Sequence, residues 1–258
     1  MINLELRQTL HETLADLEPG DFIVVACSGG ADSLALVRGA VHVGRELSLR
    51  VGAVVIDHQL QSGSSLVANA AAVTAAELGA DPVEVIAVDV ISGPGSGGLE
   101  AAARDARRAA FSRYADANDV KAILLGHTRD DQAETVLLGL ARGSGARSLS
   151  GMRTIDGLYR RPMLSLSRAL IRSTVEDLDV HEDPHNNDPA FTRVRVRQTA
   201  LPVLEDQLGP GVSAALARTA DMLRDDADAL DELASAHGLI YDTEVLAKLP
   251  RAIRTRII

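Results

Sequence analysis

The stretch Val24-Val25-Ala26-Cys27-Ser28-Gly29-Gly30-Ala31-Asp32-Ser33-Leu34-Ala35-Leu36 changes character twice. It begins as a short apolar run with β-branched residues, which reads as a buried strand, and ends with Leu and Ala at helical spacing. Between them stand two glycines, two hydroxyls and a carboxylate. A glycine pair lets the backbone turn sharply and aim its N–H groups at an anion, while Asp32 or Ser33 is placed to cap the helix that follows. The lysine and the longer spacing of a Walker loop are missing, so no side-chain ammonium reaches toward a γ-phosphate. A loop of amides and hydroxyls suits pyrophosphate as a leaving group.

Outward from this stretch, strands and helices alternate. Strand-like Phe22 to Cys27 gives way to a helix reaching about Glu46, then to strand-like Leu49 to Asp57 and a helix from about Ser65 to Leu78. Strand-like Val83 to Val90 and a Gly93–Gly98 loop precede a long helix from Leu99, strand-like Ala122 to Gly126, and a helix from about Asp131 to Ala141. Such alternation implies an α/β fold with a doubly wound, five-stranded parallel sheet whose ligands lie beyond the carboxyl ends of the strands. Two hairpin arms about an Asp156-Gly157 turn follow, and then a polar loop from Glu182 to Pro189. Beyond Pro210 the pattern is purely helical with an acidic face, so we expect a domain over 1–205 and a small C-terminal helical domain over 206–258. The final Arg251–Ile258 stops inside an amphipathic pattern without a cap, as a truncated chain would.

The formal charge of −10 argues against indiscriminate coating of nucleic acid, and 2% aromatic content with no Trp argues against base stacking. One cysteine excludes a disulfide framework and a CxxC zinc site, which points to a cytoplasmic protein. No apolar run is long enough to span a bilayer. Arg142, Arg147, Arg153, Arg160, Arg161, Arg168 and Arg172 form a basic stretch whose only acid is Asp156, followed by Arg193, Arg195 and Arg197. That distribution suits a polyanion presenting one loop base.

The string from Ser28 to Ser33 resembles the PP-loop of the N-type ATP pyrophosphatases, the adenine nucleotide alpha hydrolase-like fold. Ile56-Asp57-His58-Gln59-Leu60, Gly126-His127-Thr128-Arg129-Asp130-Asp131-Gln132-Ala133-Glu134-Thr135, Arg161-Pro162-Met163-Leu164, Glu182-Asp183-Pro184 with Asn186, and Phe191 with Arg193 and Arg195 narrow the resemblance to the tRNA(Ile)-lysidine synthetases, over about Asp21 to Leu204. The chain departs from that pattern at Gln61, Arg108, His185 and Val194. The resemblance implies ligation of L-lysine to C2 of the wobble cytidine in the CAU anticodon of a minor tRNA(Ile), driven by ATP with Mg²⁺ and releasing AMP and pyrophosphate. A homodimer is left open.

The same resemblance implies roles for individual residues. Ser28, Gly29, Gly30, Ala31, Asp32 and Ser33 would hold the leaving pyrophosphate, with Asp32 orienting the reacting groups or holding Mg²⁺. Ile56, Asp57 and His58 would meet the adenosine, and Gly126 and His127 would line the same cleft. Arg104 and Arg107, three apart on one helical face, would approach nucleotide or substrate, and Arg195 would be the cation near the α-phosphate. Asp130 and Asp131 suit a metal or the lysine ammonium, with the division between them open. Asp131 with Glu134 also fits a capping box, which is our reading of Glu134. A tRNA thiolase would need more sulfur than Cys27 supplies. A small-molecule ligase fits the arginine-rich middle poorly, and a nucleotide-binding module without catalysis does not account for Asp32, Asp130 and Asp131.

Overall fold

The computed structural model describes residues 2–59, 63–90, 98–181, 187–238 and 242–257. Leu60, Gln61, the glycine-rich loop over 93–97 and the Glu182–Asn186 motif lie outside the described residues.

A first helix, α1 (Leu4–Thr13), is capped by Asn3, whose side chain accepts the Glu5 N–H at 2.7 Å. Then come β1 (Phe22–Cys27), α2 (Ala31–Leu47), β2 (Arg50–Asp57), α3 (Ser64–Glu77), β3 (Val83–Ala87), α4 (Leu99–Asn118) and β4 (Val120–Leu124). Successive side chains of a strand point to opposite faces. Ile23, Val25 and Cys27 therefore join Leu34, Val37 and Ala71 of α2 and α3 in one core, while Phe22 and Val24 join Phe111 and Tyr114 of α4 in another. Helices on both faces oblige the strands to be apolar on both, which is why they read as continuous runs.

The sheet order is β3-β2-β1-β4-β6-β5, with β5 (Ile155–Asp156) and β6 (Tyr159–Arg160) completing it. Five strands are parallel as expected. A sixth, β5, pairs antiparallel with β6 and corrects the strand count. Strands of two residues carry no periodicity that a sequence reading can detect. The tight turn is also displaced by one residue: Asp156 pairs with Tyr159, leaving Gly157 and Leu158 as the loop, and Gly157 takes the positive φ of 57°. The sheet order reverses between β1 and β4, so the crevice beyond their carboxyl ends is where such a sheet binds its ligand.

The described residues fall into two compact units, one of 1–129 with 153–188 and one of 130–152 with 189–258. The first holds the whole sheet and α7 (Arg168–Ser173). The second holds nearly all of α5 (Arg129–Ala141), then α6 (Ala146–Leu149), α8 (Thr192–Arg195), a π-helical turn (Val196–Ala200), α9 (Leu201–Leu208), α10 (Val212–Ala236), α11 (Thr243–Lys248) and α12 (Arg251–Ile257). The expected boundary at 205/206 falls inside α9, and residues 206–258 form no compact unit of their own. Ala133 of α5 packs with Val196, Leu201 and Leu216, and Arg224 of α10 donates to the carbonyls of Ser150 and Met152. The Asp231 carboxylate is shared by Arg147 and Arg256, each at 2.6 Å.

Candidate functional site

After β1 the chain turns through Ser28 and Gly29, whose φ is +81°, and Gly30 becomes the N-cap of α2. A Cβ at Gly29 would stand 2.9 Å from the Ala71 Cβ, so both the conformation and the space require glycine. Gly30 caps α2 with backbone alone. The expected side-chain cap is replaced by a hub at Ser33, which is 7% exposed. Ser33 Oγ accepts the Ser28 N–H at 3.1 Å, accepts from Ser28 Oγ at 3.3 Å, and donates to the Gly30 carbonyl at 2.9 Å. The first ladder bond of α2 is Leu34 N–H to Gly30 O at 3.0 Å, so the N–H groups of Ala31, Asp32 and Ser33 precede the ladder. Together with the positive end of the helix dipole they form an anion cradle.

Asp32 sits in the first turn of α2, with Oδ2 3.5 Å from Nε of Arg168. Sequence reasoning had placed Arg168 in the basic stretch. No local spacing relates residues so far apart in the chain, and only the return of α7 to α2 joins them. Gly126, just beyond β4, also approaches this turn: a Cβ there would lie 3.3 Å from the Asp32 carbonyl oxygen and 3.4 Å from the Ser33 nitrogen. The first unit thus gathers Ser28 to Ser33 with Gly126 at the sheet's switch point.

At the end of β2, the buried Asp57 carboxylate accepts the Gln59 N–H at 3.0 Å, locking the backbone that follows Ile56. Beside it, His58 has a buried Nδ1 with no hydrogen-bond partner among the described residues. Burial, and next the charge of Arg107, push the His58 pKa down, with Asp57 opposing. A neutral imidazole near neutral pH follows, able to meet a base edge. Arg107 keeps an accessible outer edge, but its surroundings are crowded enough that burial, followed by repulsion from Arg104, lowers its pKa. Arg161 is lowered in the same way, by burial first, with Asp156 opposing and Arg104 and Arg108 adding to the shift. The Arg108 guanidinium lies 5.2 Å above the Tyr159 ring. The expected pair Arg104 and Arg107 is therefore part of a larger cationic group, and the guanidinium charges persist because arginine does not deprotonate in proteins.

In the second unit, Asp131 and Glu134 lie inside α5, 8% and 0% exposed, so Asp131 is no N-cap and the capping-box reading is corrected. Glu134 instead accepts from Arg193 Nε at 2.9 Å and from Arg197 Nε at 2.6 Å and Nη2 at 3.1 Å. Arg197 Nη2 also reaches Asp131 Oδ1 at 3.1 Å. Residues four apart share a helical face, whereas Arg195 points elsewhere, donating to the carbonyls of Pro189 and Ala190 at 2.6 and 2.8 Å. Glu134, Arg193 and Arg197 are thus a cluster the sequence reading passed over, although an i, i+4 count would have found its arginines. Asp130 begins this helical segment, half-buried.

The basic stretch is partly structural. Arg160 is 4% exposed and donates to the Thr13 carbonyl at 2.6 Å and to Asp16, while the buried Arg161 donates to the Arg153 carbonyl at 2.8 Å. Arg142, Arg153 and Arg172 stay exposed.

The PP-loop domain family matches residues 2–204. A tRNA(Ile)-lysidine synthase of Thermobifida fusca is 52% identical over 262 residues, spanning 98% of this chain and 80% of that protein. The chain belongs to the tRNA(Ile)-lysidine synthase family. Another tRNA(Ile)-lysidine synthase, from Streptomyces coelicolor, is 51% identical over 96% of this chain and 73% of its own length. Among solved structures, the U34-tRNA thiolase NcsA from Methanococcus maripaludis with its [4Fe-4S] cluster matches with a TM-score of 0.70 over 85% of this chain and 78% of that one, at 17% identity. That likeness concerns the fold, a PP-loop architecture which this lysidine synthase family member shares. Among the described residues, no helix is long and apolar enough to cross a membrane, and no three His, Cys, Asp or Glu gather as a metal cage.

Proposed function

We propose that the protein uses ATP to ligate L-lysine to C2 of the wobble cytidine in the CAU anticodon of tRNA(Ile), in the cytoplasm, as a single chain or a homodimer. The observation that carries the proposal is the lysine-free cradle of Ser28 to Ser33 at the switch point, in a chain about half identical to tRNA(Ile)-lysidine synthases. In the first step the cytidine O2 attacks the α-phosphorus and the bond to the β-phosphate breaks, with pyrophosphate leaving. In the second, the lysine ε-amine attacks C2 and AMP departs with the original O2.

The amides and hydroxyls of the cradle, in place before reaction, would take the charge that grows on the β-phosphate. Mg²⁺ commonly binds through one or two carboxylates together with substrate phosphates and water, so the lone Asp32 carboxylate in the first turn of α2 fits it. The ion would supply neutralisation of the phosphate oxygens. Arg168 would share that task and hold Asp32 in position. Ile56, Asp57 and neutral His58 would meet adenosine, with Gly126 and His127 beside it, and Arg104 and Arg107 would face phosphate. Asp130 and Asp131 would receive the lysine ammonium or the metal, and Arg195 would serve the α-phosphate.

The deciding experiment incubates the protein with a tRNA(Ile) transcript, ATP, Mg²⁺ and lysine, then digests the anticodon loop for mass spectrometry. The expected result is one nucleotide heavier by a lysyl group, with AMP and pyrophosphate in equal amounts. An unmodified loop, or ADP and phosphate as products, would overturn the proposal.

A further inference from the structure

We infer that Arg38 is a positioning residue for the phosphate loop, acting through the backbone N–H of His181. The inference rests on the reading that the loop holds pyrophosphate. α7 and the chain from it to His181 pack against the core that α2 belongs to, with Ile171 and Val175 buried and Leu178 and Val180 packed beside it. At its end the His181 N–H donates to the Gly29 carbonyl at 3.2 Å. In a trans peptide the carbonyl and the following N–H point in opposite directions. Holding the Gly29 oxygen toward His181 therefore turns the Gly30 N–H away from that segment. A glycine at φ +81° beside a second glycine has little of its own to prevent that peptide from flipping. Ala71 of α3 and His181 both crowd the position a Gly29 Cβ would take, at 2.9 and 3.8 Å, so the segment that carries His181 is packed directly against the loop.

Arg38 fixes the segment that carries this amide. Its Nη1 donates to the Thr174 carbonyl at 2.6 Å and to Asp177 Oδ1 at 2.7 Å, and its Nη2 to Asp177 Oδ2 at 2.8 Å. Both ends of the linkage lie on α2 or its N-terminal turn, so a rigid helix ties the Arg38 guanidinium to the loop it serves. The Arg38 side chain is 18% exposed, which protects the fork from solvent competition, while Asp177 is 68% exposed. A bidentate fork sets orientation as well as distance, which a lysine ammonium does not.

The test compares wild type with Arg38→Met, Arg38→Lys and Asp177→Asn, measuring inhibition of ATP turnover by inorganic pyrophosphate and by adenosine, together with thermal melting. Arg38→Met is expected to weaken pyrophosphate about tenfold, as when the aligned loop falls to roughly a tenth of the population, with adenosine unchanged. Arg38→Lys recovers part of the loss. Asp177→Asn, which alters an exposed carboxylate and leaves the Thr174 bond, shows the same selectivity at smaller size. A merely structural role lowers the melting temperature and leaves the ratio of the two inhibition constants as in wild type, and that ratio in both Arg38→Met and Asp177→Asn overturns the inference. A wild-type enzyme indifferent to pyrophosphate overturns the reading of the loop itself, and the inference with it.

Discussion

Replacing Arg160 with Met separates a structural arginine from a nucleic-acid contact. The methionine keeps most of the apolar stem and removes the guanidinium, which donates to the Thr13 carbonyl at 2.6 Å and to the Asp16 carboxylate. Thr13 is 4% exposed, so its carbonyl loses a partner where water does not easily replace it, at a cost of about 1–3 kcal/mol. Asp16 is 63% exposed and rehydrates, so its share is at most about 1 kcal/mol. The sum, about 1–4 kcal/mol, corresponds to a fall on the order of 10 °C in the melting of the first unit. The pH dependence has a definite sign. The hydrogen bond from Arg160 holds the Asp16 pKa below its ordinary value, so the pair's contribution is present above the unfolded carboxylate pKa and is lost as pH falls through the folded one. The gap between wild type and variant should therefore narrow in strong acid by the Asp16 share of at most about 1 kcal/mol, while the Thr13 share persists, as read by thermal melts across pH. Filter binding of tRNA well below both melting temperatures should give equal salt slopes. A variant that melts like wild type but binds tRNA with a shallower salt slope would refute the reasoning and return Arg160 to the tRNA surface.

Asp32→Asn should remove ATP-to-AMP turnover while circular dichroism stays native, and Arg168→Met should lower turnover less, because it leaves the carboxylate in place. Arg193→Met with Arg197→Met strips two guanidiniums from the fully buried Glu134 carboxylate and should cost about 3–5 kcal/mol in urea unfolding; Glu134→Gln leaves partly exposed guanidiniums that rehydrate and should cost clearly less, and the reverse order would contradict the burial argument. Glu205 accepts the N–H groups of Gly211, Val212 and Ser213 at the start of α10, foremost that of Ser213, and its pKa is lowered to about 2. Its contribution is present above about pH 4.5 and lost toward pH 2, so Glu205→Gln should flatten the acid limb of the helical signal over that window.

The alternation that gave the parallel sheet was legible because β1, β2 and β4 are buried on both faces and read as short apolar runs with β-branched residues, whereas the segments between them are longer and rich in Ala and Leu. The phosphate loop was legible because glycine at positive φ, small hydroxyls and one carboxylate have few other uses at a strand end. What escaped were relations made by the return of the chain. Arg168 beside Asp32, Arg160 beside Asp16 and Arg38 beside Asp177 each join residues more than a hundred positions apart. The grouping of α5 with the C-terminal helices is a relation of the same kind, since Ala133 packs with Val196 and Leu201.

Charge counting was weakest where arginine is concerned, because its long stem lets one residue type serve opposite ends. Arg160, Arg193 and Arg197 neutralise carboxylates within the fold. Arg104, Arg107, Arg108 and Arg161 instead raise the local positive potential, since Arg107 and Arg161 each lose proton affinity to neighbouring guanidiniums as well as to burial. Holding like charges together is unfavourable, and an anion placed among them would relieve it. In a protein of net charge −10 such a local group makes the potential uneven over the surface. The acidic composition and an anionic substrate are therefore compatible, because clustered arginines such as Arg104, Arg107, Arg108 and Arg161 can coexist with an excess of carboxylates over the whole chain.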